Sequence, residues 1–272
     1  MKIKKLTGTI GAELLNVDIS RDLSDQKIAD IRLALIEHKV VFFRDQDLTP
    51  EQHIAFTGKF GPISQSPVYK TMEEYPQIMP VVKEPTDRDI IGDTWHTDET
   101  YQSTPPLGSL LYAREVPDVG GDTLFADMCR AYETLSDKLK EQIQTLKAVH
   151  SNGLLNTATR NATRSTKLRE DIGSLESVHP VVRTHEESGS KALFVNKPFT
   201  VCFEGMTRAE SLPLLEYLYA HSSKPEHTCR FRWEKGSLAF WDNRCTMHYA
   251  INDYPGRRRE MHRITIQGSV PV

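Results

Sequence analysis

The stretch CRFRWEKGSLAFWDNRCTMHYAINDYPGRRREMHRITIQ (229–267) decides how this chain folds. Three short apolar and aromatic runs within it, 229–233, 237–241 and 259–267, read as consecutive strands. Working back along the chain, 192–196 and 180–183 read the same way, as does 108–113, followed by Gly120-Gly121-Asp122 as a turn into a further strand. Val40-Val41-Phe42-Phe43 reads as a strand buried on both faces. Many short strands with a few flanking helices predict an α+β, β-rich fold whose core is a β-sandwich or barrel of jelly-roll type.

The helices are predicted around that core. Residues 24–39 have Ser24 as N-cap and Ile28, Ile31 and Leu35 on one face. Thr49-Pro50-Glu51-Gln52 opens a second helix with a capping box, and Gly61 is its expected stop. Residues 127–147 are helical in pattern, with Leu139, Ile143 and Leu146 on one face. Thr207 and Glu210 suit a capping box for 207–221, but Pro213 moves the expected start toward Ser211. The polar stretch 151–178 fits no core and is expected to be a lid over an active site within a single domain, 1–272.

Composition narrows the function. Of 272 residues 38% are hydrophobic, enough for one sizeable core. Net charge is -3 and no block of like charge is longer than Arg257-Arg258-Arg259, so no nucleic-acid partner is expected. No apolar run reaches the roughly 18–20 residues of a membrane span. The N-terminus lacks an unbroken apolar stretch of the secretory kind, and the four cysteines form no C-x-x-C pair, so a reduced, cytoplasmic protein is expected.

The chemistry starts at Trp95-His96-Thr97-Asp98. In a strand, residues two apart share a face, so His96 and Asp98 can converge on one point. Trp241-Asp242-Asn243-Arg244-Cys245-Thr246-Met247-His248 leaves an apolar strand, turns and delivers another histidine. Two histidines and one carboxylate form the facial triad that oxygen-activating Fe(II) favours, because it leaves positions open for a chelating co-substrate and O2. In a strand over 259–267, Arg259, Met261, Arg263 and Thr265 share one face. Two inward arginines require anionic partners. Guanidinium pairs bidentately with carboxylate, so a dicarboxylic co-substrate such as 2-oxoglutarate suits one, leaving the other for a substrate.

These motifs resemble the taurine/dichlorophenoxyacetate dioxygenase (TauD/TfdA) family of Fe(II)/2-oxoglutarate enzymes. The resemblance runs from Gly11-Ala12-Glu13 through Phe60-Gly61, WHTDET (95–100), GGDT (120–123), HPVVRTH (179–185), LFVN (193–196) and WDNRCTMHYAINDY (241–254) to MHR (261–263). It implies a double-stranded β-helix (jelly roll) core with flanking helices, and His96, Asp98 and His248 as the iron ligands. Arg259 and Thr123 match the residues that hold the distal carboxylate of 2-oxoglutarate, and Arg263 the one that meets the substrate's acidic group. Turnover in such enzymes yields succinate and CO2 and hydroxylates a C–H bond, cleaving the product where that carbon bears a heteroatom.

Substrate identity is where the resemblance divides. The taurine enzymes carry histidine where Ser66 stands before Pro67-Val68-Tyr69, and phenylalanine where Asn152 stands. Ile91-Gly92-Asp93, Val149-His150-Ser151, EGMTRAES (204–211) and TCRFRW (228–233) look more like the aryloxypropionate branch. Glu99 departs from both, and facing the pocket it favours a substrate with a cation or hydroxyl as well as an acid. Ser66, Tyr69, Glu99, Asn152, Phe199 and Arg263 are therefore the expected substrate-binding residues, with Tyr101 and Trp241 as further pocket candidates. The partner expected is a small anionic organic molecule such as an aryloxyalkanoate or other carboxylate, in a homo-oligomeric protein. The alternatives are a sulfonate or alkyl sulfate dioxygenase, a metal hydrolase or isomerase without 2-oxoglutarate, and a non-catalytic metal- or ligand-binding jelly roll.

Overall fold

The structure is a computed structural model, which describes residues 1–154 and 164–272. Its largest sheet contains β1 (Lys2–Lys5), β2 (Ala12–Leu15), β3 (Val40–Phe43), β4 (Ile63–Ser64), β5 (Met79–Lys83), β6 (Gly108–Glu115), β14 (Leu238–Asp242) and β16 (Arg259–Ile266). The order is β1-β2-β3-β14-β6-β16-β4, with β5 also pairing on β16. Facing it is a three-stranded sheet in which β7 (Thr123–Asp127) lies between β13 (Thr228–Phe231) and β15 (Thr246–Ala250). Two smaller sheets complete the set among the described residues. One joins β8 (Lys147–Ser151), β9 (Glu176–Pro180) and β12 (Thr200–Phe203), and the other joins β10 (Val182–Thr184) and β11 (Lys191–Leu193).

The expected jelly-roll arrangement follows from side-chain alternation. On β3, Val41 and Phe43 point outward to the helices Asp25–His38 and Pro50–Gly58, whereas Val40 and Phe42 point between the two main sheets. On β14, Leu238 and Phe240 join the outer layer, and Ala239 and Trp241 the inner one. Within the sandwich Phe42 stacks on Phe231, with ring centroids 3.9 Å apart, and meets Phe125 edge-on at 5.6 Å. A third apolar layer packs the helices Met128–Glu133 and Arg208–Ser222 against the other side of β7 and β15, through Leu215, Leu218, Ala126 and Met247.

Four local expectations are corrected. The second helix stops at Gly58, not at Gly61. Gly61 serves close approach instead, since a Cβ there would stand 2.9 Å from Ile266 Cγ2. The pattern over 127–147 is two helices, Met128–Glu133 and Asp137–Ile143, because Ser136 caps a fresh start and Leu146 leads into β8. The helix Arg208–Ser222 runs straight through Pro213. The capping box on Thr207 and the bond from Ser211 Oγ to Thr207 O (2.9 Å) outweigh the single backbone bond the proline removes. Finally, His96 lies in an isolated bridge rather than a strand.

The 151–178 segment falls partly on residues 155–163, which lie outside the described residues. Among the described residues, no helix is long and apolar enough to cross a membrane.

Candidate active site

The segments carrying the two histidines are zipped together. His96 N–H donates to His248 O (3.1 Å) and His248 N–H to His96 O (2.8 Å). Beyond the bridge the chain enters a turn with Glu99 at φ 49°, a left-handed conformation that a glutamate adopts only under constraint. The constraint comes from Asn243, whose Oδ1 accepts from Asp98 N–H (2.9 Å) and whose Nδ2 donates to Asp98 O (3.1 Å). Thr97 Oγ1 donates to Thr246 O (3.0 Å). A bridge and a clamped turn, not strand alternation, therefore aim His96 and Asp98 at one point.

Ligand atoms of His96, Asp98 and His248 lie within 4.8 Å of one another, all three residues buried. Nε2 of His96 and Nε2 of His248 each stand 3.8 Å from Asp98 Oδ1. His96 Nδ1 lies 2.7 Å from Thr94 O, so that nitrogen carries the proton and Nε2 keeps its lone pair. Burial lowers the pKa of both imidazoles, that of His248 to about 3, so both are neutral ligands at ordinary pH. Burial alone would raise Asp98, but Arg263 and the two imidazoles outweigh it and hold the carboxyl down to about 2. Two neutral imidazoles and an ionised carboxylate suit a divalent transition metal with open positions.

A second cluster, His185, Asp242 and Cys245, has the same compactness among the described residues. Its carboxylate is already engaged: Asp242 accepts from Arg244 Nε (2.8 Å), Arg244 Nη2 (2.6 Å) and His185 Nε2 (2.9 Å). A neutralised, fully bonded carboxylate anchors the β14–β15 turn and calls for no ion.

Beside the first cluster is a pocket lined by His96, His248, Thr123, Trp241, Arg259 and Arg263. As anticipated, Arg259 and Arg263 lie on one face of β16. Arg259 is buried, and its Nε and Nη2 have no hydrogen-bond partner. Trp233, which the sequence reading missed, donates Nε1–H to Thr123 Oγ1 (2.9 Å) and lies under the Arg259 guanidinium, 5.6 Å from Cζ to ring centroid. The indole can only donate, so the Thr123 hydroxyl accepts there and keeps its own proton for a ligand. Thr123 and Arg259 together present donors suited to an anion. The available signal was alternation: Trp233 is two residues from Phe231, on the inward face.

Arg263 does have partners. Its Nη1 lies 2.9 Å from Asp98 Oδ1, and its Nη2 4.0 Å from Glu99 Oε1. Glu99 in turn accepts from Ser66 Oγ and from Gln102 Nε2 (2.6 Å). Ser66, Glu99 and Arg263 are thus brought together as expected. Phe199 meets Tyr101 edge-on at 5.1 Å in a small apolar group with Val68 and Leu168, against which Tyr69 packs. Asn152 is not brought to the metal cluster. Its amide binds backbone, donating to Gly173 O (2.9 Å) and accepting from Leu175 N–H (3.0 Å).

Comparison with known proteins agrees with this geometry. A family described as "Taurine catabolism dioxygenase TauD, TfdA family" matches residues 2–265. The chain is 34% identical over 278 residues to an alpha-ketoglutarate-dependent sulfate ester dioxygenase of Pseudomonas putida, covering 100% of this chain and 91% of that protein. It is 33% identical over 281 residues to an (S)-phenoxypropionate/alpha-ketoglutarate-dioxygenase of Sphingobium herbicidovorans, covering 98% and 94%. A crystal structure of a taurine dioxygenase from Burkholderia xenovorans superposes with a TM-score of 0.85 at 38% identity, covering 100% and 92%. The chain belongs to the TauD/TfdA family of dioxygenases.

Proposed function

We propose that this protein is an Fe(II)- and 2-oxoglutarate-dependent dioxygenase that hydroxylates, and where the carbon bears a heteroatom thereby cleaves, a small organic acid. One observation carries the reading: a neutral two-imidazole, one-carboxylate donor set shares a pocket with a buried guanidinium that has two unpartnered nitrogens. That second feature calls for an anionic ligand held beside the metal donors, which a chelating dicarboxylic co-substrate supplies. His96, Asp98 and His248 would hold the iron, and Arg259 with Thr123 the distal carboxylate of 2-oxoglutarate. Iron and 2-oxoglutarate, when bound, would let O2 act as the oxidant, one oxygen atom going into succinate as 2-oxoglutarate is oxidatively decarboxylated with loss of CO2 and the other into the substrate's C–H bond.

The chain's own residues set the conditions. His96 keeps its Nδ1 proton on Thr94 O, which fixes the ring and directs Nε2 inward. Arg263, once Asp98 is engaged as a ligand, is left with Glu99 and the acidic group of a substrate as partners. Tyr101, Phe199, Val68 and Leu168 provide an apolar flank that excludes water.

The relatives named above act, by their names, on a sulfate ester and on a phenoxypropionate. Both are small organic acids, and Arg263 fits the chemistry they share. Carboxylates are the first reading here, and sulfonates or alkyl sulfates the second. The reading takes residues 1–272 as one domain with 151–178 as a lid. In support, Leu168 bridges Tyr69, Arg169 N–H donates to Val68 O (2.8 Å), and Asn152 ties Gly173 and Leu175. A homo-oligomeric state belongs to the same reading and is measured by light scattering.

The test is a panel of aryloxyalkanoates, alkyl sulfates and sulfonates, followed by O2 consumption and succinate release. Coupled turnover that needs both Fe(II) and 2-oxoglutarate is expected for one class. Substrate conversion without succinate would overturn the reading.

A further inference from the structure

Lys83 stands directly opposite Arg259 in the antiparallel pairing of β5 with β16. Residues opposed in this way project to the same face, with Cβ atoms about 4.5–5.5 Å apart. That face is the pocket face, because Val81, two residues earlier on β5, lines the pocket. Lys83 is 4% exposed and Arg259 5% exposed. Lys83 Nζ, like Arg259 Nε and Nη2, has no hydrogen-bond partner.

Each cation rests on an aromatic ring instead. Lys83 Nζ is 4.8 Å from the Tyr254 ring centroid, and Arg259 Cζ is 5.6 Å from that of Trp233. Tyr254 and Arg259 adjoin: a Cβ placed on Gly121 would be 3.2 Å from Tyr254 Cε1 and 3.4 Å from Arg259 Cδ. Nearby carboxylates are committed elsewhere. Glu84 and Glu260 hold Arg258 at 3.1 Å and 2.8 Å, and Asp122 holds Arg230 at 2.6 Å. Two buried donors on opposed positions, neither with a hydrogen-bond partner, are unfavourable unless an acceptor reaches them.

We propose that Lys83 is a second cationic contact for the distal carboxylate of the dicarboxylic co-substrate, beside Arg259 and Thr123. The inference rests on the 2-oxoglutarate reading above. Arg259 offers a planar fork, Lys83 a compact ammonium and Thr123 a hydroxyl, so the two carboxylate oxygens can meet three donors. A lysine that only packs on Tyr254 would need none of this.

The test uses the full chain loaded with Mn(II), which allows binding without turnover, and calorimetric titration with 2-oxoglutarate and with pyruvate. Pyruvate has the chelating 2-oxo acid but no distal carboxylate. Lys83→Met is expected to weaken 2-oxoglutarate about tenfold, leave pyruvate unchanged, and be largely rescued by Lys83→Arg. Ligand-free melting checks that each variant folds, and Lys83→Gln replaces Lys83→Met if that variant does not. An unchanged 2-oxoglutarate affinity, or equal weakening of both ligands, would overturn the role of Lys83. A wild-type chain that binds pyruvate but gains nothing from the distal carboxylate would overturn the 2-oxoglutarate reading itself.

Discussion

Arg263 Nη1 lies 2.9 Å from Asp98 Oδ1, the same oxygen that stands 3.8 Å from Nε2 of both His96 and His248. One carboxylate oxygen is therefore the counter-ion of a buried guanidinium and also the third donor of the candidate metal site. Removing it should have two separable effects. Asp98→Ala is expected to abolish tight Mn(II) or Fe(II) binding and to destabilise the metal-free fold by about 3–5 kcal/mol, because Arg263 loses its closest ion-pair partner. Asp98→Ala with Arg263→Met should regain much of the stability and none of the metal binding. Urea unfolding and metal titration of the two variants separate these effects.

Glu99 competes for the same guanidinium. Its Oε1 is 4.0 Å from Arg263 Nη2, and Ser66 and Gln102 hold it there. A substrate anion must share Arg263 with this carboxylate. Glu99→Gln is expected to lower KM for organic acid substrates about fivefold, as about 1 kcal/mol of competing attraction is removed, with a smaller change in kcat. Steady-state kinetics on any acid turned over by the wild type checks this.

Trp233 should act on the co-substrate through Thr123. With the indole N–H gone, the hydroxyl loses the bond that orients its proton. Trp233→Phe is expected to weaken 2-oxoglutarate by about 1 kcal/mol, or roughly fivefold, and Thr123→Val by at least as much. The double variant should be hardly worse than Thr123→Val alone, since both substitutions remove one arrangement. Binding titrations of the three variants read the coupling directly.

Acid should destabilise the fold through His53. The ring is buried against Tyr112, at 5.9 Å between centroids, and neither nitrogen has a partner. Burial, with His262 nearby, lowers its pKa from 6.5 to about 3. Between those values the unfolded chain takes up a proton that the folded chain refuses. The stability this group protects is therefore complete above about pH 6.5 and lost as pH falls toward 3, by about 1.4 kcal/mol per pH unit. Urea midpoints of wild type and His53→Leu, compared from about pH 7 to pH 4, should lie close together at neutral pH and diverge as pH falls, with only the wild type losing this contribution.

Much of the fold was legible because alternation and caps are local. Ser24 and Thr49 cap helices as read, and β3, β14 and β16 bury the faces their patterns imply. Among the misread boundaries, Ser136 caps a new helix within the helical pattern of 127–147, and Pro213 is tolerated because its helix is already capped and packed. In the site, His96, Asp98 and His248 converge as expected, but by a bridge and a turn that Asn243 clamps from 145 residues away. Lys83 was invisible because sheet pairing, not spacing, sets it opposite Arg259, whereas Trp233 was readable only from its alternation with Phe231. Asn152 was read as a pocket residue, and its amide in fact ties down the chain at Gly173 and Leu175.

The most direct test of the central claim is anaerobic titration of the Fe(II)-loaded chain with 2-oxoglutarate, followed by its visible charge-transfer absorption. The expected result is a band that saturates at about one equivalent per chain, is absent in His96→Ala and His248→Ala, and in Arg259→Gln requires about 100-fold more 2-oxoglutarate. Fe(II) bound at His96, Asp98 and His248 with no such band, or a band indifferent to Arg259→Gln, would contradict it.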